Sequence, residues 1–584
     1  MKLRSLTLVL SFLLYNLTSF AQDKDVVLPP NWYNLDLTQD GYFGISAEKA
    51  YTELLKGKNP KSKIVVAVID GGVETGHEDL KGMLWVNEKE VPGNGIDDDG
   101  NGYADDINGW NFIGSKKGNL AYDNLELVRI YRKYNPKYRS TINSTQLDSV
   151  EKEEYALYRK ATTEFGKKYD DADRNFRVLS AINKVLDSVA RVQRKPKPTL
   201  ADIENYKADN EMEEQVKKII RSGSKDSGGF DKFYKEVKDA YEQYDIMLKY
   251  NLNPAYDQRQ ELVGDDYANS KERIYGNNDV MGPNAEHGTH VSGIIAAKRN
   301  NSIGINGIAS HVSIMAIRVV PEGDERDKDV ANGIRYAVDN GAKIINMSFG
   351  KGFKWDKQVV DVAVKYAESK DVLLVHAAGN DNQNIDREEN YPNKYYDGPE
   401  AIAYRKKHKK LIRDMIPKEK PKPNVRTPYN GNNFPKPVKI DLDTAKFKLP
   451  HANNWIEVGA SAYRNDADLK ASFSNYGKYM VDVFAPGFMI KSTVPKSQYE
   501  EFDGTSMAAP VVSGMAAVIL SYYPDLKPHE LRDIIIKSVV KVTQKVKIKD
   551  ESGTGLKVPF SELCNSSGVA NLYNALKLAE TYKR

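Results

Sequence analysis

An α/β fold with a mostly parallel central sheet is predicted from three observations. Short apolar, β-branched runs recur along the chain, stretches with helical periodicity separate them, and polar residues or glycines stand where the runs end. The first run, Ile64-Val65-Val66-Ala67-Val68-Ile69-Asp70, is too short for a helix and apolar on both faces, as a buried parallel strand must be. Runs at 313–319, 343–347 and 372–377 follow the same rule, with helical patterns over 327–340 and 355–369 between them. Parallel strands need crossovers, so helices are expected on both faces of the sheet.

Two stretches break the alternation. From 115 to 275 the chain is charged and tyrosine-containing, with helical patterns over 151–169, 171–192, 200–222 and 230–250, and reads as a helical insertion. From 395 to 453 a basic run, Lys406 to Lys410, and the prolines 417, 421, 423, 428, 435 and 437 read as a second, surface insertion. What remains, 63–114, 276–394 and 454–584, is expected to form one catalytic α/β domain, preceded by an N-terminal segment, 22–62.

With 85 basic and 81 acidic residues in 584 the net charge is only +4, which gives no reason to expect nucleic acid or an anionic membrane as partner. Residues 1–21 carry Lys2 and Arg4, an apolar stretch from Leu6 to Leu17, and Ser19-Phe20-Ala21, the pattern of a signal peptide cleaved after Ala21. That stretch is shorter than the roughly 20 residues needed to span a bilayer, so export to the periplasm or medium is expected, without a stable membrane anchor. No later segment reads as a membrane span. The single cysteine, Cys564, cannot form an internal disulfide and reads as a small buried hydrophobe.

Four polar residues stand where chemistry is expected. Asp70 ends the first strand, and in open α/β sheets ligands gather beyond the carboxyl ends of strands. His287-Gly288-Thr289-His290-Val291 opens a helix; no further metal ligand accompanies the two histidines, so His287 reads as a general base and His290 as structural. Asn380 follows the strand ending at Ala377. Ser506, in Gly504-Thr505-Ser506-Met507-Ala508-Ala509-Pro510, lies at the mouth of a helix, where its own N–H and the Asn380 amide can hold a developing oxyanion.

These four segments, in the order Asp, His, Asn, Ser, resemble the signatures of the subtilisin-like serine proteases, the S8 type. The resemblance implies a three-layer subtilisin-like fold acting on polypeptides, with Ser506 as nucleophile, His287 as base, Asp70 orienting it and Asn380 stabilising the oxyanion. Ser348, Phe349 and Gly350 resemble the family's edge that pairs with extended substrate, with Ala378 and Gly379 in the other wall of the specificity pocket. The opposite edge, 320–327, carries Glu322, Asp324 and Glu325, from which a preference for basic residues before the cleaved bond is expected. Gly568 to Leu576 resembles the family's last helix.

The resemblance also implies calcium, held by the side chains of Asp79 and Asn301 and the carbonyls of Ile303 and Ile305. A second calcium loop is read from the residues themselves: Asp97, Asp99, Asn101 and Asp105 alternate, with Gly102 at the sixth position, although Asn108 stands where an EF-hand has glutamate. Asp70 and His287 lie 217 positions apart, and the helical insertion accounts for the excess over ordinary subtilisins. Two other readings fit the same residues: a peptide ligase or macrocyclase using the same acyl-enzyme, and a non-catalytic binding module. The latter is expected to lack one of the four residues, and none is lacking.

Overall fold

The computed structural model describes residues 26–140, 144–397, 450–549 and 555–582. The signal-peptide reading and most of the second insertion fall outside these residues.

Among the described residues, nine strands form one sheet. In chain order they are β1 (Ile64–Asp70), β2 (Gly109–Asn111), β3 (Val312–Arg318), β4 (Ile344–Met347), β5 (Leu373–Ala377), β6 (Trp455–Ser461), β7 (Val483–Pro486), β8 (Val540–Lys541) and β9 (Gly568–Val569). Their spatial order is β8-β9-β7-β6-β5-β4-β1-β3-β2, and every neighbouring pair is parallel except β8 with β9. The sheet is therefore mostly parallel, as predicted. β2, which pairs with β3 at the edge, was not visible as a strand because Gly109-Trp110-Asn111 has neither length nor alternation.

Alternate residues of β1 serve the two cores. Val66 and Val68 pack with the helices Glu286–Ala296 (α1) and Thr505–Tyr522 (α2) on one face. Ala67 and Ile69 pack with the helices Asp327–Asp339 and Lys357–Ser369 on the other. The result is three layers. α2 corrects one reading: it is long and apolar enough to cross a membrane, but 89% of it is buried, so it is the central core helix. Cys564 is fully buried and its thiol is pushed up to about 11 by that burial. The N-terminal segment belongs to the same body: Trp32 and Tyr33 are fully buried, and the Leu572 N–H donates to Ile45 O at 2.7 Å.

Between β2 and α1 lies the helical segment. One helix runs unbroken from Ser149 to Val192, where two were predicted, because nothing near residue 170 stops it. The predicted helix over 200–222 is instead two, Leu200–Asn205 and Glu211–Asp226, begun by the side-chain caps of Thr199 and Asn210. Val178, Leu179, Ile182, Ile220 and Phe233 give the segment its own core.

The segment is fastened to the sheet domain by buried charge. Arg259 contacts Asp265 at 2.8 Å and Asp329 at 2.7 Å, and all three side chains are at most 3% exposed. Lys328 reaches the same Asp265 at 2.8 Å. Such a cluster gains little over an apolar one, but removing one member strands the others without water. Arg259→Ala is therefore expected to destabilise the fold by about 3–5 kcal/mol, measured by denaturant unfolding.

Candidate active site

β1, β3 and β4 end at one level of the sheet. Asp70 pairs in register with Arg318 of β3, and Ile69 with Met347 of β4. Beyond this level run 319–325 after β3 and 348–351 after β4; the slot between them is where extended substrate is expected. Helix α1 comes down onto this end because Gly288 has no side chain: a Cβ there would lie 2.2 Å from Gly72 O and 3.1 Å from Asp70 Cβ. That approach brings His287 Nδ1 to 2.8 Å from Asp70 Oδ1 and 3.0 Å from Oδ2.

The carboxylate, 3% exposed, holds the proton on Nδ1 and leaves the lone pair on Nε2. Burial pulls the His287 pKa down, but the Asp70 charge and hydrogen bond outweigh it and raise it above the ordinary value. His290 faces inward, contacts Glu500 O at 3.1 Å through Nε2, and is driven down to about 3 by burial. It stays neutral, as its structural reading requires.

Ser506 is the second residue of α2, so its N–H is one of the first-turn donors without a helical acceptor. Its hydroxyl donates to Ser348 O at 3.1 Å, and Ser348 Oγ donates back to Ser506 O at 2.9 Å. The hydroxyl is thus turned onto the edge carbonyl. Asn380 Oδ1 accepts from both the N–H and the hydroxyl of Thr505, each at 2.9 Å. Because a backbone N–H can only donate, the amide orientation is fixed, and Nδ2 is left as a donor beside the mouth of α2.

Of the pocket residues, Ala378 is buried and its carbonyl accepts from Asn475 Nδ2 at 2.9 Å and Asn390 Nδ2 at 3.2 Å. Gly379, at φ 99°, donates its N–H to Thr505 Oγ1 at 3.0 Å, a conformation that favours glycine. Asn475, which also accepts from Asp381 and Gln383 N–H, organises this wall and carried no signature in the sequence. Ser348, Phe349 and Gly350 directly follow β4, as 319–325 follow β3.

The acidic edge does not present its charges as expected. Glu325 is 2% exposed, and burial pushes its carboxyl up to about 8 against the pull of Lys351. Asp324 Oδ2 accepts from the Glu126 N–H at 2.7 Å. Glu322 is the exposed one, and its carboxylate takes a hydrogen bond from Asn284 Nδ2.

The two metal readings fare differently. Asp79, Asn301 and Ile305 come together, but what faces the Asp79 carboxylate is Asn301 Nδ2 at 2.6 Å and the Ile305 N–H at 3.1 Å. Ile303 is 43% exposed, and its N–H goes to Asn301 Oδ1. This set, read as calcium ligands, presents N–H donors and does not fit a cation as arranged. In the second loop, Asp97 and Asp99 converge with Glu90, their ligand oxygens within 4.8 Å of one another. Glu90 lies outside the alternating run and was missed. The Asp105 carboxylate takes the N–H groups of Gly93, Asn94 and Gly95, and Asn101 Oδ1 that of Tyr103, just as Asp97 and Glu90 accept other N–H groups of the loop.

The sequence profile described as "Subtilase family" matches residues 61–555, most of the chain. The chain belongs to the subtilase family. Its fold is accordingly the subtilisin-like one, and the nine-stranded sheet agrees. The "Thermophilic serine proteinase" of Bacillus sp. (strain AK1) is 31% identical over 50% of this chain and 52% of that protein. "Thermitase" of Thermoactinomyces vulgaris is 35% identical over 40% of this chain and 61% of its own length. "Subtilisin NAT" of Bacillus subtilis subsp. natto is 33% identical over 43% and 49%. The chain thus spans about half the length of the curated relatives it matches.

In this subtilase the His287 imidazole is expected to titrate above the free value of about 6.5, and Asp70→Asn to move the midpoint down, since burial is then opposed only by the smaller pull of Glu322 and Glu286. Proton NMR of the His287 ring through a pH titration reads both.

Proposed function

We propose that this chain is an exported serine endopeptidase that hydrolyses peptide bonds through an acyl-enzyme on Ser506. The observation that carries the reading is the His287–Asp70 pair, 2.8 Å apart at the end of the parallel sheet and beside the helix terminus that bears Ser506. His287 Nε2 takes the hydroxyl proton as Oγ attacks the peptide carbonyl, then gives that proton to the leaving amine; water repeats the sequence to release the acyl group. Asp70 keeps the imidazole in the required tautomer and stabilises its protonated form. The Ser506 N–H and Asn380 Nδ2 receive the oxyanion, aided by the α2 dipole. The domain division is part of the proposal: a catalytic unit of 63–114, 276–394 and 454–584, into which 115–275 is inserted.

Calcium enters this proposal as a structural ion held by Glu90, Asp97 and Asp99. Three carboxylates this close repel one another unless a cation or protons intervene, and a cation at this loop would brace the edge strand β2 that follows it. The hydrophobic leader 1–21 supports export.

Ser506→Ala is expected to abolish hydrolysis of unfolded protein and labelling by a fluorophosphonate while leaving the melting temperature in place. Asn380→Ala is expected to cost roughly 10² to 10³ in kcat, the magnitude established for such a donor on a subtilisin. Product masses showing joined rather than hydrolysed peptides would replace hydrolysis by ligation. Chelation by EDTA is expected to lower the melting temperature of the native protein and to leave that of Glu90→Gln nearly unchanged; calorimetry of both proteins with and without chelator decides it.

A further inference from the structure

The slot beyond Asp70 is open near Ser506 and closed a short distance away. Its two walls are stitched together by one side chain. Lys351, which follows Gly350 on the β4 side, sends Nζ across to Glu325 O on the β3 side at 2.7 Å. The same ammonium contacts Glu126 Oε2 at 2.8 Å and Asp327 Oδ1 at 2.7 Å. Arg129 completes the barrier, donating to Asp324 O at 3.1 Å and to Glu325 O at 3.3 Å, and pairing with Glu126 at 2.8 Å. The Lys351, Glu126 and Arg129 side chains are at most 2% exposed, so the stitch is covered. Its cover is the helix Glu126–Tyr138, the first of the helical segment, packed on Phe353 and Trp355.

This geometry limits what can pair in the slot. His287 serves the leaving amine, so the acyl part of a substrate lies on the other side of Ser506, along Ser348, Phe349 and Gly350. From Ser348, whose carbonyl the Ser506 hydroxyl touches, to Lys351 is three residues, about 10 Å of strand at roughly 3.3 Å per residue. A substrate strand adds by exchanging main-chain hydrogen bonds with both walls. At the Lys351 position the exchange is closed off, because Glu325 O already accepts from two cations and a carbonyl has two lone pairs.

We propose that Lys351, held by Glu126 and Arg129 of the helical segment, is a specificity-determining residue that ends the acyl-side binding slot after three substrate residues. This inference rests on the peptidase reading above. A fourth residue is turned out of the slot and its side chain is not read. Substrates with three residues before the cleaved bond use every main-chain contact the slot offers.

The test uses the full chain and peptidyl p-nitroanilides with free amino termini and one to four residues before the anilide. The residue at the cleaved position is the one preferred in a mixed peptide library. The expected result is a kcat/KM that rises to three residues and changes less than about twofold on adding a fourth, with Lys351→Ala raising the four-residue value about tenfold, the worth of roughly one main-chain hydrogen bond. A tenfold gain from the fourth residue in the unaltered protein overturns the proposal, and this arm holds whether or not Lys351→Ala folds. A folded Lys351→Ala that gains nothing at the fourth residue overturns it as well. Failure of the peptidase reading looks different: no peptide of any length is cleaved and a fluorophosphonate leaves Ser506 unlabelled.

Discussion

The site depends on the level at which the central strands end. β1 lies between β3 and β4, and the three stop together, Asp70 opposite Arg318 and Ile69 opposite Met347. Stopping there does three things at once. It leaves a carboxylate at the sheet's end, it lets Gly288 bring α1 down onto Asp70 and Gly72, and it leaves the segments after β3 and β4 as the two edges of the slot. Under the proposed function a peptide would be held between these edges through its main chain, a mode that does not depend on its side chains.

The helical segment enters and leaves at the edge of this opening. It departs after β2, the edge strand beside β3, and returns through Arg259, Asp265 and Lys328 onto the start of the helix that follows β3. Both ends are anchored by charges taken out of water. Burial costs each of them several kcal/mol, and only the pairing recovers it, so the segment has little freedom to dock elsewhere. Arg326 with Asp123, at 2.7 Å, adds a second such anchor a few residues away. Burial raises the carboxyls, yet Asp123 and Glu126 are held down to about 2 by the arginines and lysine around them. The Asp123 and Glu126 carboxylates therefore stay ionised near neutrality.

What was legible in the sequence follows from range. Asp70, His287, Asn380 and Ser506 each sit at the end of an element whose periodicity is visible over a few residues, and the small residues around them mark close packing. The parallel strands were legible because a strand buried on both faces is apolar throughout. Other features depend on contacts across the chain. Lys351 and Glu126 are 225 positions apart, and a lysine after Phe349-Gly350 looks like any solvated charge. The acidic edge misled for the same reason: Glu325 reads as a surface carboxylate until the helix that covers it is in place. Asp105 shows a local ambiguity, because alternating acids suit both a metal loop and a turn that caps its own N–H groups, as Asp105 does for Gly93 to Gly95.

The Ser506 hydroxyl on the Ser348 carbonyl links the two halves of this argument. Ser348 is fixed from below by Asn346 Nδ2 at 2.9 Å, which Ser513 of α2 in turn holds at 2.9 Å, so the wall and the nucleophile's helix move as one piece. The Ser348 carbonyl has two lone pairs, so under the proposed function it has room for a substrate N–H beside the Ser506 hydroxyl, and the wall that would receive a substrate is the one that already touches the nucleophile's helix.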